Sequence, residues 1–447
     1  MNNQMLHKKT SWFNYFYMLV MVIYMGQATR ETACMTGGSL VKQFIPIFIP
    51  IFLTLVLLYK NKKISYKSKN LRLVSIIFVI WSIAVSFKYG FSISNNEAIS
   101  KLFFLFYAFI LAYIHTNIFG KSFFSLYEKI IVYISALSII FWTFSIMMPS
   151  LSASFFRQFP EANMSTYGNT FLYLFTWMDP VKGQVFGNLN RNAGCAWEPG
   201  RFAIMLCLAI LINLLRNGIK FHNNKSIWIL LIALATTFST TGYCITIIMY
   251  ALFGISIKSS MSIIAMLFIF IPSVFFISTF DFIGAKLDDQ TDFRTVLPEL
   301  EARMNIAEQT MDDGEYAFSL ERFPAMYFES MNVINDPILG YTQMKQYSYF
   351  HNNISSHCIL TGGIVKLFGW FGIFIGVFLY WILYESSKYI AYSYGWKKQQ
   401  VVAIFLCIVL SSISYVIYTV PIFTTIWFYG YFTKRKQMNY SESRQIK

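Results

Sequence analysis

The sequence predicts an all-α polytopic membrane protein of about 12 transmembrane helices (range 10–12), with two large loops on one side. Three observations lead there. Of 447 residues, 56% are hydrophobic and only 13% charged, where a soluble chain carries roughly 25% charge. Nearly uncharged windows close to the ~20 residues that cross a ~30 Å hydrocarbon layer recur along the chain. The basic residues collect in alternate connections, as the resistance of Lys and Arg to translocation requires. The same composition excludes a disordered chain and a nucleic-acid binder, so the net charge of +15 mostly encodes orientation.

Taken in order, the apolar windows are 12–29, 40–59, 71–89, 102–119, 129–148, 199–216, 226–240, 242–257, 261–280, 367–385, 399–417 and 420–433. No small-residue cleavage site follows the first window, which reads as a retained helix. Pro421 splits the last apolar stretch into two short crossings or one crossing and a re-entrant turn, and the 239–242 turn is similarly tight. Lys60, Lys62, Lys63, Lys67, Lys69 and Arg72 mark one connection as cytoplasmic. Alternation from there places both termini inside. The inner segments then hold 22 of the 36 Lys and Arg but, of the 21 acids, only Glu128, Glu385 and Glu442.

This divides the chain into N-terminal spans (1–148), a first outer loop (149–198), central spans (199–280), a second outer loop (281–353), and C-terminal spans with a cytoplasmic tail (354–447). Both outer loops exceed the ~15 residues above which a connection is usually functional or disordered. They are expected to be folded. The second carries 13 acids against five bases, including a helix-like stretch near 295–311 with Leu297, Leu300, Met304 and Ala307 at helical spacing and the turn Asp312-Asp313-Gly314. The bases retained on the outside are therefore the more informative residues.

Six cysteines without Cys-x-x-Cys spacing point neither to a disulfide framework nor to a zinc site, although Cys34, Cys195 and Cys358 would share the outer side. No phosphate-cradling or dinucleotide fingerprint occurs, and no internal repeat of the kind that builds many transporters.

Two strings could carry chemistry. Asn188 to Arg201 enters a span through Glu198 and Pro199. A proline at the first helical position, with an acid at the positive end of the helix dipole, starts a helix well. Arg191 and Arg201 are harder to explain as scaffolding, since an Arg about one turn into a span pairs, snorkels or binds phosphate. The second string runs from Arg322 through Asp336-Pro337-Ile338-Leu339-Gly340 to His351-Asn352-Asn353, with His357 beyond. Asp-Pro and Gly have turn chemistry that could simply return the chain to the membrane. An interfacial His is commonly just hydrogen-bonded, but imidazole can also exchange a proton near pH 7. Tyr167, Tyr173, Trp177, Tyr341, Tyr347 and Tyr349 could stack on sugars, and as interface anchors they need no such role.

These residues resemble the bacterial O-antigen polymerase and O-antigen ligase superfamily of membrane glycosyltransferases. The likeness rests on Arg191 leading to Glu198-Pro199; on Arg322 about fifteen residues before the D-P-x-x-G string; and on His351-Asn352 followed, after nine residues, by Gly362-Gly363-Ile364-Val365. A second glycine pair, Gly369-Trp370-Phe371-Gly372, would instead put His357 in register. The motif similarity covers about residues 185–380, and the rest only in hydropathy.

The resemblance implies a GT-C-like helical bundle in the bacterial inner membrane that polymerises undecaprenyl-diphosphate-linked oligosaccharides at the periplasmic face. It implies no cofactor and no metal. Arg191, Arg201 and Arg322 would bind the diphosphate; His351, Glu198 and Arg322 would be catalytic, with Asn352 and His357 in support. A chain-length regulator protein would be a partner beside the lipid-linked substrate and the bilayer. The alternatives are an O-antigen ligase, with lipid A–core as acceptor, and a lipid-linked oligosaccharide flippase, which would line a mid-membrane cavity with charge.

Overall fold

The structure is a computed structural model that describes residues 11–26, 40–61, 68–89, 96–163, 168–179, 185–186, 189–254, 318–320, 322–342, 345–354, 358–360 and 363–445. It is mostly helical and divides into two compact units, Met1–Ile64 with Ile114–Thr246, and Ser65–Tyr113 with Ile247–Lys447. The expected span 261–280, the acidic helix 295–311 with its turn, Cys34, Tyr167 and His357 lie outside the described residues. A helix falls within each of the other expected windows, over the residues described. Four of them, Lys69–Tyr89, Ser122–Met147, Pro199–Asn217 and Gly363–Ser393, are long and apolar enough to cross a membrane.

In the first unit the Pro199–Asn217 helix is the core. It is apolar on all sides, buried along almost its whole length, and packed on the helices Ser122–Met147 and Lys225–Thr236. A helix without a polar face belongs in an interior. Polar groups fix its register: Tyr127 donates to the Met205 carbonyl (2.9 Å), and buried Glu128 accepts from Asn213 (2.6 Å) and pairs with Arg216. Arg216 lies in the last turn of its helix, so it also meets the favourable end of that dipole.

The described part of the first long loop is folded, as expected. It holds the short helix Pro149–Phe156 and a three-stranded antiparallel sheet, Glu161–Asn163, Gly168–Phe171 and Phe175–Met178. Phe156, Phe175 and Trp177 form its core, packed against Phe141 and Phe144 of the preceding helix. Trp177 is 1% exposed, so it is neither an interface anchor nor a free stacking platform; it is the packing centre of this sheet. Tyr173 stands instead at the hairpin tip, beside exposed Leu172.

The Gly363–Ser393 helix organises the second unit, with Lys398–Ser414, Pro421–Gln445 and Arg322–Asn335 packed along it. Lipid tails are as apolar as leucine, so such packing relies on close approach and hydrogen bonds. Both are present. The Trp427 indole donates to the Leu379 carbonyl (2.7 Å), and the Ser386 hydroxyl accepts from the Gly430 amide (3.1 Å), where glycine lets the helices touch. Outward stripes at helical spacing, Leu73, Ile76, Ile80, Ile83 and Phe87 on one helix and Phe374, Val377 and Trp381 on another, are exposed. Apolar faces of this extent suit hydrocarbon.

Three features refine the sequence-based expectations. Pro421 opens a separate helix, so the last apolar stretch is two helices. The Lys225–Thr236 helix has 12 residues, about 18 Å, short of a crossing by itself. The window 367–385 belongs to a 31-residue helix broken at Gly372, where φ is 77°.

That break receives the D-P-x-x-G turn. The Ile373 amide donates to the Pro337 carbonyl (2.7 Å), while the Tyr341 and Thr342 amides donate to the Gly369 and Trp370 carbonyls (2.8 and 3.3 Å). The backbone groups freed by the kink are thus satisfied by the turn. Asp336 receives Lys88 and Tyr89 from the Lys69–Tyr89 helix, whose Trp81 also donates to the Leu339 carbonyl (3.0 Å). An Asp336→Ala variant removes both charge-assisted contacts from a partly exposed site, and a loss of about 1–2 kcal/mol is expected. Thermal unfolding in detergent, as a drop of a few degrees, measures it.

Candidate active site

The second unit assembles its polar centre from residues 322–360 and the start of the Gly363–Ser393 helix. The amphipathic Arg322–Asn335 helix buries Ala325, Phe328, Glu329 and Asn332 at helical spacing. Ala325 and Phe328 pack with Phe350, Cys358 and Leu360. Glu329 and Asn332 carry the same buried stripe into a polar cluster.

Asn332 holds the His351 segment. Its Oδ1 accepts from the Phe350 amide (3.0 Å) and from the Ser348 hydroxyl (3.0 Å). Ser348 caps the short helix Tyr349–Asn353 by accepting from the His351 amide (3.3 Å). The half-buried His351 ring is held at both nitrogens: Nδ1 is 2.8 Å from Ser348 Oγ, and Nε2 is 3.0 Å from the Cys358 carbonyl. A carbonyl only accepts, so Nε2 carries a proton. Nδ1 then accepts from Ser348 in the neutral ring and donates to it in the imidazolium. When it donates, the single Ser348 proton goes to Asn332 Oδ1. The ring can therefore change charge without losing a partner.

Glu329 is fully buried. Burial pushes its carboxyl above the ordinary range, and the Lys366 charge, Tyr341 and Asn332 oppose that rise. Neither Glu329 oxygen, nor Asn332 Nδ2, has a hydrogen bond of good geometry among the described residues. Gly369 makes room for the group, since a side chain there would strike Glu329 Oε1. Lys366 donates to the Leu360 carbonyl (2.5 Å) and lies 5.5 Å from the Trp370 ring, whose Nε1 donates to the Tyr341 hydroxyl (3.0 Å). Tyr341 is thus buried as a scaffold residue, and Tyr347 stacks on Tyr89 with centroids 3.9 Å apart; Tyr349 remains exposed.

Arg322, half-buried, opens the helix that ends in this cluster. A cation there opposes the helix dipole, so the dipole does not account for its position. Exposed Asn352 donates to the Gln346 carbonyl (2.8 Å) and so braces the short helix from outside.

The first unit holds Arg191, Glu198 and Arg201. Arg191 Nε and Nη2 donate to the Thr237 and Phe238 carbonyls (3.0 and 3.2 Å), closing the C-terminus of the Lys225–Thr236 helix. Arg201 Nε donates to the Met25 carbonyl (2.8 Å) and the Trp197 amide to Gly26 (3.2 Å), closing the Trp12–Gly26 helix. Cations suit helix C-termini. Both guanidiniums are buried, at 8% and 7% exposure, and their resolved bonds are to main-chain carbonyls. Between them Asn192 donates to Ser138 and Thr236 (3.1 and 2.9 Å), and Gly194 lies against the Phe202 ring. Glu198 occupies the N-cap position with extended backbone and makes no side-chain capping bond, so it does not cap the helix in the way its position suggests.

Glu329, Asn332, Ser348 and Lys366 are absent from the expected site. Their signal was an acid and an amide three residues apart on an otherwise apolar helical stripe, a placement that needs a polar partner. Cys195 and Cys358 are buried, and no disulfide joins the described cysteines. Among the described residues no three His, Cys, Asp or Glu side chains gather where they could hold a metal ion. No family model, no curated protein and no solved structure matches the chain.

Proposed function

We propose that the protein polymerises undecaprenyl-diphosphate-linked oligosaccharide units at the outer face of the bacterial inner membrane. The observation that supports this reading best is that one helix carries both Arg322, at its start, and Asn332, which holds the His351 segment. Two strings quoted for the family resemblance are thereby joined by a single rigid element.

In the proposed reaction an acceptor sugar hydroxyl attacks the anomeric carbon of the donor, and the bond from that carbon to the diphosphate oxygen breaks. Undecaprenyl diphosphate leaves with the electron pair. Its charge needs donors aimed at the phosphate oxygens, a role assigned to Arg322. The hydroxyl proton goes to His351, whose Ser348 and Asn332 partners accommodate the cation.

The test is to supply the purified protein, in lipid with EDTA, with a synthetic undecaprenyl-diphosphate repeat unit of the source organism's glycan. A ladder of lengthening products, lost in His351→Ala, is the expected result. Transfer only to added lipid A–core would make the protein a ligase. Neither product, together with lipid passing between leaflets of liposomes, would replace the reading with a flippase.

A further inference from the structure

We propose that Glu329 and Asn332 are positioning residues that set the charge state of His351, the Glu329 charge acting on the neighbouring Asn332 amide of the same helix face, and Asn332 acting through its hydrogen bond to Ser348 on the imidazole. Its part in catalysis rests on the assignment of His351 as the proton acceptor, but the coupling itself is a property of the fold.

The geometry permits one consistent set of proton positions for each state. With His351 neutral, the Ser348 hydroxyl points at Nδ1 across 2.8 Å. When a proton reaches Nδ1, that nitrogen becomes a donor to Ser348 Oγ, and the hydroxyl turns to Asn332 Oδ1 across 3.0 Å. The bond from Nε2 to the Cys358 carbonyl (3.0 Å) is the same in both. No heavy atom has to move. Asn332 Oδ1 is kept in place by the Phe350 amide (3.0 Å), and the amide's Nδ2 end is the buried donor adjacent to the Glu329 carboxyl on the same helix face.

A carboxylate behind Asn332 polarises the amide so that Oδ1 is the better acceptor, which favours the state with Ser348 turned away and His351 charged. Among the described residues these groups surround the chain. Lys366 opposes Glu329 by its own charge; Tyr341 and Tyr418 face the carboxyl as neutral phenols. On the His351 side, Cys358 contributes its carbonyl, and Arg322 begins the helix. Burial raises the Glu329 carboxyl, and Lys366, Tyr341 and Asn332 hold the rise in check. The two titrations are therefore coupled, and each charged form stabilises the other.

The five histidines allow a direct reading. Ring-carbon NMR titration of isotopically labelled protein in nanodiscs, with the His351 signal assigned by its absence in His351→Gln, gives the midpoint of that ring. Glu329→Gln, which keeps shape and removes charge, is expected to lower the midpoint by about one pH unit, a tenfold change in proton affinity. Asn332→Ala should lower it too, and Asn332→Asp should raise it. An unmoved midpoint in both Glu329→Gln and Asn332→Ala, with thermal unfolding showing folded protein, overturns the proposal. Chain growth is scored separately. A shifted midpoint in a protein that makes no polymer would leave the coupling standing and reject the polymerase, and polymer made with an unmoved midpoint would do the reverse.

Discussion

Replacing Gly372 by valine should prevent the second unit from assembling. The residue adopts φ 77°, a left-handed value that a β-branched side chain rarely takes. A Cβ at this position would also fall on the Ile338 carbonyl, in backbone that the Pro337 to Ile373 hydrogen bond holds in place. Relief therefore requires the whole turn to lift off. Backbone strain of about 1–2 kcal/mol adds to overpacking of typically 1–3 kcal/mol and to the lost hydrogen bonds between turn and helix. The sum approaches the ~5–15 kcal/mol that hold a whole domain together. The expected outcome is protein that inserts but elutes as aggregate on gel filtration. Gly120→Ala, where the left-handed glycine has nothing within reach of an added Cβ, serves as the control and should lose no more than about 1–2 kcal/mol.

The second large effect is expected at Arg322. Arg322→Ala should reduce chain growth by at least ~10²-fold, the scale seen when one donor to developing charge is removed. Arg322→Lys should recover only part, since an ammonium cannot reproduce a two-pronged contact with phosphate. Thermal stability should fall by no more than about 1–2 kcal/mol in both, the ordinary cost of losing a half-buried polar contact. The initial rate of donor consumption, measured beside an unfolding curve, separates the two effects. Equal losses of rate and stability would make Arg322 a structural residue.

The fold was legible where the signal is local. Apolar windows and turn residues marked most of the described helices, and Pro421 marked the division of the last apolar stretch, because proline cannot continue a helix and fits a first position by its fixed φ and missing N–H. Hydropathy could not show that the Lys225–Thr236 helix stops after 12 residues, since its end is set by Arg191 arriving from elsewhere in the chain to take the Thr237 and Phe238 carbonyls. Nor could it show the break at Gly372, which depends on a turn that begins at Asp336. The same limit applied to the site. Arg191 and Arg201 stood out because a charge near a span demands a partner, yet their resolved partners are helix ends, which have no sequence signature. Glu329 was overlooked for the opposite reason: it lies in a loop rich in acids, and only the apolar stripe of its own helix distinguishes it from solvated neighbours.

The kink also resolves a mismatch of length. A straight helix of 31 residues would extend about 46 Å, some 16 Å more than a ~30 Å hydrocarbon layer. Beyond Gly372 roughly 21 residues remain, about 31 Å, so the kink leaves a straight part close to the thickness of a bilayer core. The segment before the kink, with Lys366, leaves that axis and joins the Glu329 cluster. Where the cluster sits along the helix is thus set by the position of one glycine, and moving that glycine by a turn would shift the cluster about 5 Å along it.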